Sequence, residues 1–165
     1  MKNTKPEDNK FHKGNRVDQK HYWLTPPSLW DKIKEKAKSY FKKEVHDGCP
    51  FPFDHEKWDG LVNDYPTDKV TYLNIPFGAI IHNGKKKGAT AWARKMIEEQ
   101  QKGATTMMAF PIDKWVLMLL AAGAKVENLG DVKWLATEDG SEGKGTGRHI
   151  ALFILEPNAK DTQAQ

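Results

Sequence analysis

Val70-Thr71-Tyr72-Leu73-Asn74-Ile75-Pro76-Phe77-Gly78 is the stretch on which the fold and chemistry of this chain turn. Its first half is a short β-branched and aromatic run, which reads as a buried strand. Its second half is an amide, a branched aliphatic residue, a proline, an aromatic ring and a glycine. Open α/β sheets place their ligands at the carboxyl ends of strands, which is where these groups fall. Asn74 offers a carbonyl acceptor, Pro76 stiffens the backbone, Phe77 presents a flat face, and Gly78 permits close approach. The alternative is an ordinary proline turn after a strand. The surrounding chain decides between them.

Upstream, Thr25 is placed to cap a helix from Ser28 to Tyr40 that has prolines at its start. Leu29, Ile33, Lys36, Ala37, Tyr40 and Phe41 form its apolar stripe, opposite a lysine-rich face. Glu44 to Asp47 reads as a short strand stopped by Gly48-Cys49-Pro50. Residues 51 to 68 are irregular and rich in Asp. Downstream, His82 to Gly88 reads as a polar, basic loop. Thr90 is placed to cap a helix from Ala91 to Lys102 that ends at Gly103.

Thr105 to Phe110 is a second buried strand. Asp113 is placed to cap a helix from Lys114 to Ala122, ended by Gly123. Lys125 to Leu129, Val132 to Ala136 and His149 to Leu155 read as strands, and the glycine-rich segment from Thr137 to Arg148 as a loop. Strands alternating with helices predict an α/β fold with helices on the faces of the sheet. Trp92 and Trp115, at helix starts, are expected in the core.

The chain of 165 residues fits one domain, expected over 21–156 between disordered tails at 1–20 (basic) and 157–165. With 38% hydrophobic and 29% charged residues, it has the composition of a soluble globular protein. It contains no apolar run near the ~20 residues that span a bilayer. The N-terminus has no signal-peptide core, which predicts a cytoplasmic protein. Cys49 is the single cysteine, which excludes an internal disulfide and fits a reducing compartment. A net charge of +4 favours a polyanionic partner. His46, His55 and His82 with Asp47 or Asp54 match no metal-ligand spacing, so no metal is expected. No phosphate-cradling glycine motif stands at a strand end.

Three segments taken in order, Trp23-Leu24-Thr25-Pro26, Asp47-Gly48-Cys49-Pro50 and Asn74-Ile75-Pro76-Phe77, resemble the motifs of S-adenosylmethionine-dependent amino-methyltransferases. The resemblance is closest to the small phage-type (Dam-like) DNA adenine methyltransferases and spans about Tyr22 to Leu155. That family opens with Trp-x-Thr-Pro, follows with an Asp-Pro-Cys-Pro-like strand end, and carries Asp/Asn-Pro-Pro-Tyr/Phe as its catalytic motif. Here Ile75 stands in place of the first catalytic proline and Gly48 in place of another. The resemblance implies a Rossmann-like methyltransferase fold with a mostly parallel sheet flanked by helices. It also implies S-adenosylmethionine as cofactor and double-stranded DNA as partner, in a host cytoplasm if the chain is phage-encoded.

The implied roles fall on named residues. The Asn74 side chain and the Ile75 carbonyl would accept the two N–H groups of an adenine 6-amino group, between Pro76 and a Phe77 ring stacked on the flipped base. Trp23, Thr25, Pro26, Asp47 and Cys49 would line the cofactor, with Thr25 at the methionine carboxylate and Asp47 at its amino group. Asp59, or else Asp64, would take the ribose hydroxyls. Lys85, Lys86, Lys87, Lys144 and Arg148 would meet DNA. The same geometry serves a cytosine amine or a protein glutamine amide, and a catalytically silent nucleic-acid-binding relative is the third alternative.

Overall fold

The computed structural model describes residues 22–137, 139–143 and 148–157. Lys144 and the tails expected over 1–20 and 157–165 lie outside them, apart from Pro157. In chain order the elements are β1 (Trp23–Leu24), α1 (Pro27–Lys36), β2 (Glu44–Asp47), β3 (Lys69–Leu73), β4 (Ile80–His82), β5 (Lys85–Lys87), α2 (Ala89–Gln101), β6 (Thr105–Phe110), α3 (Val116–Ala121), β7 (Lys125–Gly130), β8 (Leu135–Ala136) and β9 (Ile150–Leu155). A π-helical turn, Ala37–Phe41, extends α1 and closes on Lys42 in the left-handed conformation (φ 58°).

Five strands form the main sheet in the order β2-β3-β6-β9-β7. β2 and β6 flank β3 in parallel, whereas β9 runs antiparallel to both β6 and β7. β1 with β8 and β4 with β5 form two small antiparallel pairs. Four of the six strand pairings among the described residues are therefore antiparallel. This overturns the expected Rossmann-like, mostly parallel α/β sheet: the protein is a small α+β fold on a mixed sheet. Alternating strands and helices predict parallel pairing only where a helix carries the chain back across the sheet. β9 is reached instead through β7, β8 and the 137–148 segment, and it inserts between two strands that run the other way.

The two faces of the sheet are read off the strand alternation. Val70 and Tyr72 of β3, Met107 and Ala109 of β6, and Ile150, Leu152 and Ile154 of β9 pack against Leu29, Ile33 and Ala37 of the α1 side. Leu73, Met108, Phe110, Ala151, Phe153 and Leu155 pack on the other face against Trp92, Ala93 and Met96 of α2 and Leu119 of α3. All six residues of β6 and of β9 are buried, as expected for strands covered on both faces. Each large apolar side chain so placed contributes about 1.5–3 kcal/mol of transfer free energy. Trp92 and Trp115 lie in this second cluster.

The helix ends differ from expectation at their starts and agree at their stops. Pro26 is the residue before α1, and its carbonyl accepts the Leu29 and Trp30 N–H groups; Thr25 makes no capping bond. Gly88, without a side-chain cap, precedes α2, and Trp115 precedes α3. Gly103 and Gly123, both at φ 97°, end α2 and α3. The Ala104 and Ala124 N–H groups reach back to the carbonyls of Glu99 and Leu119, closing each helix in a Schellman-type turn. The expected basic loop from His82 to Gly88 is instead a hairpin. Asn83 (φ 50°) and Gly84 (φ 79°) form its two-residue turn, the pair of left-handed residues that a type I′ connection requires. No helix among the described residues is long and apolar enough to cross a membrane.

The irregular 50–68 segment is held to α2 by a fully buried carboxylate. Glu99 accepts the Tyr65 backbone N–H at 2.6 Å through one oxygen. Its other oxygen meets Lys95 Nζ at 3.0 Å and Lys102 Nζ at 3.2 Å. Lys95 is itself buried and donates to the Val62 carbonyl at 3.3 Å. Removing the carboxylate leaves a buried ammonium without its counter-charge, so Glu99→Ala is expected to lower the unfolding free energy by about 3–5 kcal/mol. Urea denaturation with an unchanged m-value measures it; a loss below about 1 kcal/mol would mean that water reaches Lys95 freely.

Candidate functional site

Parallel pairing of β2 with β3 sets Asp47 opposite Tyr72, and the Gly48 N–H continues the ladder to the Tyr72 carbonyl at 2.9 Å. A Cβ on Gly48 would lie 2.6 Å from Leu73 Cδ2 and 2.7 Å from Thr71 Cγ2. Glycine therefore lets the end of β2 lie flush on β3, so that Asp47, Cys49 and Asn74 come together at the carboxyl ends of two parallel strands.

Asp47 is half-buried, and its Oδ1 accepts the Cys49 N–H at 3.0 Å. No Lys, Arg or His among the described residues pairs with it. Burial pushes its carboxyl above the ordinary range, opposed in part by the Cys49 N–H. Cys49 is buried beside it. Burial and the neighbouring carboxylate push the thiol well above its ordinary value, although the Asn74 N–H pulls the other way. A thiol so placed stays protonated and is no nucleophile.

Asn74 donates through Nδ2 to the Trp23 carbonyl at 2.7 Å. A carbonyl only accepts, so the amide end facing it must be the NH2, and Oδ1 is left as an acceptor turned away from Trp23. Ile75 is 1% exposed and belongs to the core, so only its backbone can serve the site. Pro76 is buried. Phe77 is half-buried in the seam between the two core clusters, stacked on Phe110 (5.3 Å, 24°) and edge-on to Trp134 (5.4 Å, 72°).

The other expected cofactor residues are committed elsewhere. Trp23 is 6% exposed, with its ring in the core and its carbonyl on Asn74. Thr25 turns its hydroxyl onto the Tyr72 hydroxyl at 3.0 Å inside the core. Pro26 starts α1. Asp59 Oδ2 meets His82 Nε2 at 2.8 Å, and its Oδ1 accepts the Leu61 N–H. Asp64 is exposed and paired with Lys102 at 2.8 Å, which holds its carboxyl below the ordinary range. Beside Cys49, the space bounded by Tyr22, Phe53, His55, Trp58 and Asp59 encloses about 10 Å³, enough for one water; Asp47 does not line it. The group set thus fits the ammonium end of S-adenosylmethionine at Asp47. It does not fit a nucleoside at Asp59 in this closed arrangement.

Two contacts here escape sequence reasoning. The Asp59–His82 pair pins the β4–β5 hairpin to the 50–68 segment, and Trp58 Nε1 donates to the Gly48 carbonyl at 2.9 Å. Both join residues distant along the chain. The hairpin itself had a legible marker, Asn83-Gly84. Lys85 and Lys86 are exposed on β5 and Lys87 is half-buried; Arg148 is exposed just before β9. No cluster of three or more His, Cys, Asp or Glu side chains among the described residues is placed to hold a metal ion. No protein-family model, curated protein or solved structure matches the chain.

Because the folded protein holds the Asp47 carboxyl above its unfolded pKa, ionising it disfavours the fold. The associated stability is present at low pH and is lost as pH rises through the folded value. Asp47→Asn keeps an acceptor for the Cys49 N–H and is expected to raise the melting temperature at pH 7. Its advantage should vanish near pH 3, where the parent carboxyl is protonated in both states. Calorimetric melts across that range test this; equal melting temperatures at pH 7 would mean that the carboxylate is solvated. Native Cys49 should react with a disulfide reagent at least about 100-fold more slowly than in the urea-unfolded chain, as a buried thiol does. A rate near the unfolded one would contradict its burial.

Proposed function

We propose that the protein transfers a methyl group from S-adenosylmethionine to the exocyclic amino group of adenine in DNA. One observation supports this most: the Asn74 side chain is anchored through its NH2, which leaves its carbonyl oxygen as an acceptor just past the end of β3, the strand that pairs with the one ending at Asp47. An aromatic amine is a poor nucleophile because its lone pair is conjugated with the ring. Asn74 Oδ1 and the Ile75 backbone carbonyl accept its two N–H groups and hold the lone pair out of conjugation. Fixed acceptors of this kind also stabilise positive charge growing on the nitrogen, an effect worth several kcal/mol.

The cofactor supplies an electrophilic methyl group on a sulfonium centre. Asp47 meets the ammonium end, where an uncompensated, half-buried carboxylate is otherwise unfavourable. The space beside Cys49 that Phe53, His55 and Trp58 line encloses only about 10 Å³, so an adenosine would enter there only with that segment displaced. Phe77, packed between Phe110 and Trp134, holds the Asn74–Phe77 segment in place at the strand end.

Tritiated methyl transfer to adenine-containing duplex tests the proposal, with N6-methyladenine identified by mass spectrometry. Asn74→Ala is expected to lower the rate by at least about 100-fold while leaving circular dichroism unchanged. Incorporation no greater than in Asn74→Ala would end it, and a methylated cytosine or glutamine product would move the activity to that nitrogen. The closed space and the committed Asp59 favour a second reading, a nucleic-acid-binding relative without catalysis. Calorimetry separates the two, because no heat with millimolar S-adenosylmethionine supports the silent form.

A further inference from the structure

Between the β4–β5 hairpin and α2 lies a cleft of about 520 Å³, apart from the strand-end site, lined by Leu61, His82, Lys85, Lys87, Arg94 and Glu98 among others. From the geometry of this cleft we infer that it is a phosphate-binding subsite for a nucleic-acid strand. The substrate class follows the function proposed above, whereas the residues are independent of it.

Strand alternation divides the lysine run. Lys85 and Lys87 share one side of β5 and line the cleft, whereas Lys86, between them, does not. Arg94 enters from the opposite wall, one turn of α2 beyond Ala91. None of these three cations has a carboxylate partner among the described residues. The fourth cation at the cleft, Lys95, is neutralised by Glu99 at 3.0 Å, and the lining carboxylate, Glu98, lies 4.0 Å from that same lysine. Three free positive charges on two rigid elements therefore converge on a concave space of ligand size. Arginine's fork and two lysine point charges suit phosphate oxygens.

The hairpin is held in place by the Asp59–His82 pair and begins at Ile80, six residues after Asn74 along the chain. A strand engaged at Asn74 has this cleft on the next element. The larger lysine groove along α1 is a weaker candidate. There Lys42 and Lys43 donate to the Ser39 and Thr67 carbonyls, and Glu35 and Glu44 share the lining.

Binding of a fluorescent duplex, measured by anisotropy without cofactor, tests the assignment whether or not methyl transfer occurs. Lys85→Ala/Lys87→Ala/Arg94→Ala is expected to weaken binding at least tenfold at about 50 mM salt and to flatten the log K against log salt slope by about 2.7, the release expected for three phosphates. Lys86→Ala, off the cleft, should weaken binding less than Lys85→Ala or Lys87→Ala alone. Unchanged affinity and slope in the triple variant would overturn the subsite. So would an equal loss in Lys86→Ala, or a greater loss in Lys38→Ala/Lys42→Ala. Pyrophosphate binding that the triple variant loses, in a parent that does not bind duplex, would assign the cleft to free phosphates and overturn the nucleic-acid assignment.

Discussion

The close approach of β2 to β3 at Gly48 is the constraint on which the candidate site depends. Two parallel strands end side by side only if nothing projects between them, and a single methyl group at Gly48 would strike both Leu73 and Thr71. With hydrogen in that place, the Gly48 N–H reaches the Tyr72 carbonyl and the ladder runs one residue beyond Asp47. Asp47, Cys49 and Asn74 are then neighbours. The same backbone carries a second close contact, since the Gly48 carbonyl receives Trp58 Nε1 and would lie 2.5 Å from a Cβ on Gly60. Two glycines thus let the 50–68 segment close down on the strand ends.

Around this point the polar interactions form two kinds. Glu99 with Lys95, Lys102 and the Tyr65 N–H is fully satisfied, and it fixes one segment to one helix. Asp47 is the opposite kind, a half-buried carboxylate with one N–H and, among the described residues, no cation. A buried group left unbalanced in this way lowers stability, and such groups concentrate where a ligand supplies the missing charge. That contrast, more than any pocket, separates the two carboxylates into a structural one and a candidate functional one.

Aromatic packing ties the catalytic candidate to the rest of the fold. Phe77 lies between the clusters on the two faces of the sheet, against Phe110 at the end of β6 and Trp134 beside β8. The neighbouring Ile75 is wholly core. The segment Asn74 to Phe77 is therefore held from both sides, leaving the Asn74 amide and the backbone as the groups free to act.

By itself, the sequence determined the positions of β2, β3, β6, β7 and β9 to within a residue or so. It also determined the stops of α2 and α3, because β-branched runs and left-handed glycines are local properties. The Asn74 and Asp47 strand ends were legible for the same reason. Only the tertiary structure decided the direction of β9 and hence the mixed sheet, since pairing is chosen among strands distant along the chain. It alone decided that Thr25 bonds Tyr72, that Asp59 is spent on His82, and that Glu99 is buried. A carboxylate or hydroxyl has the same formula whether free or paired, and its partner comes from another part of the fold. Ile75 shows both halves: the residue is plain in the sequence, but that its side chain faces the core and only its backbone faces the site is a fact of packing.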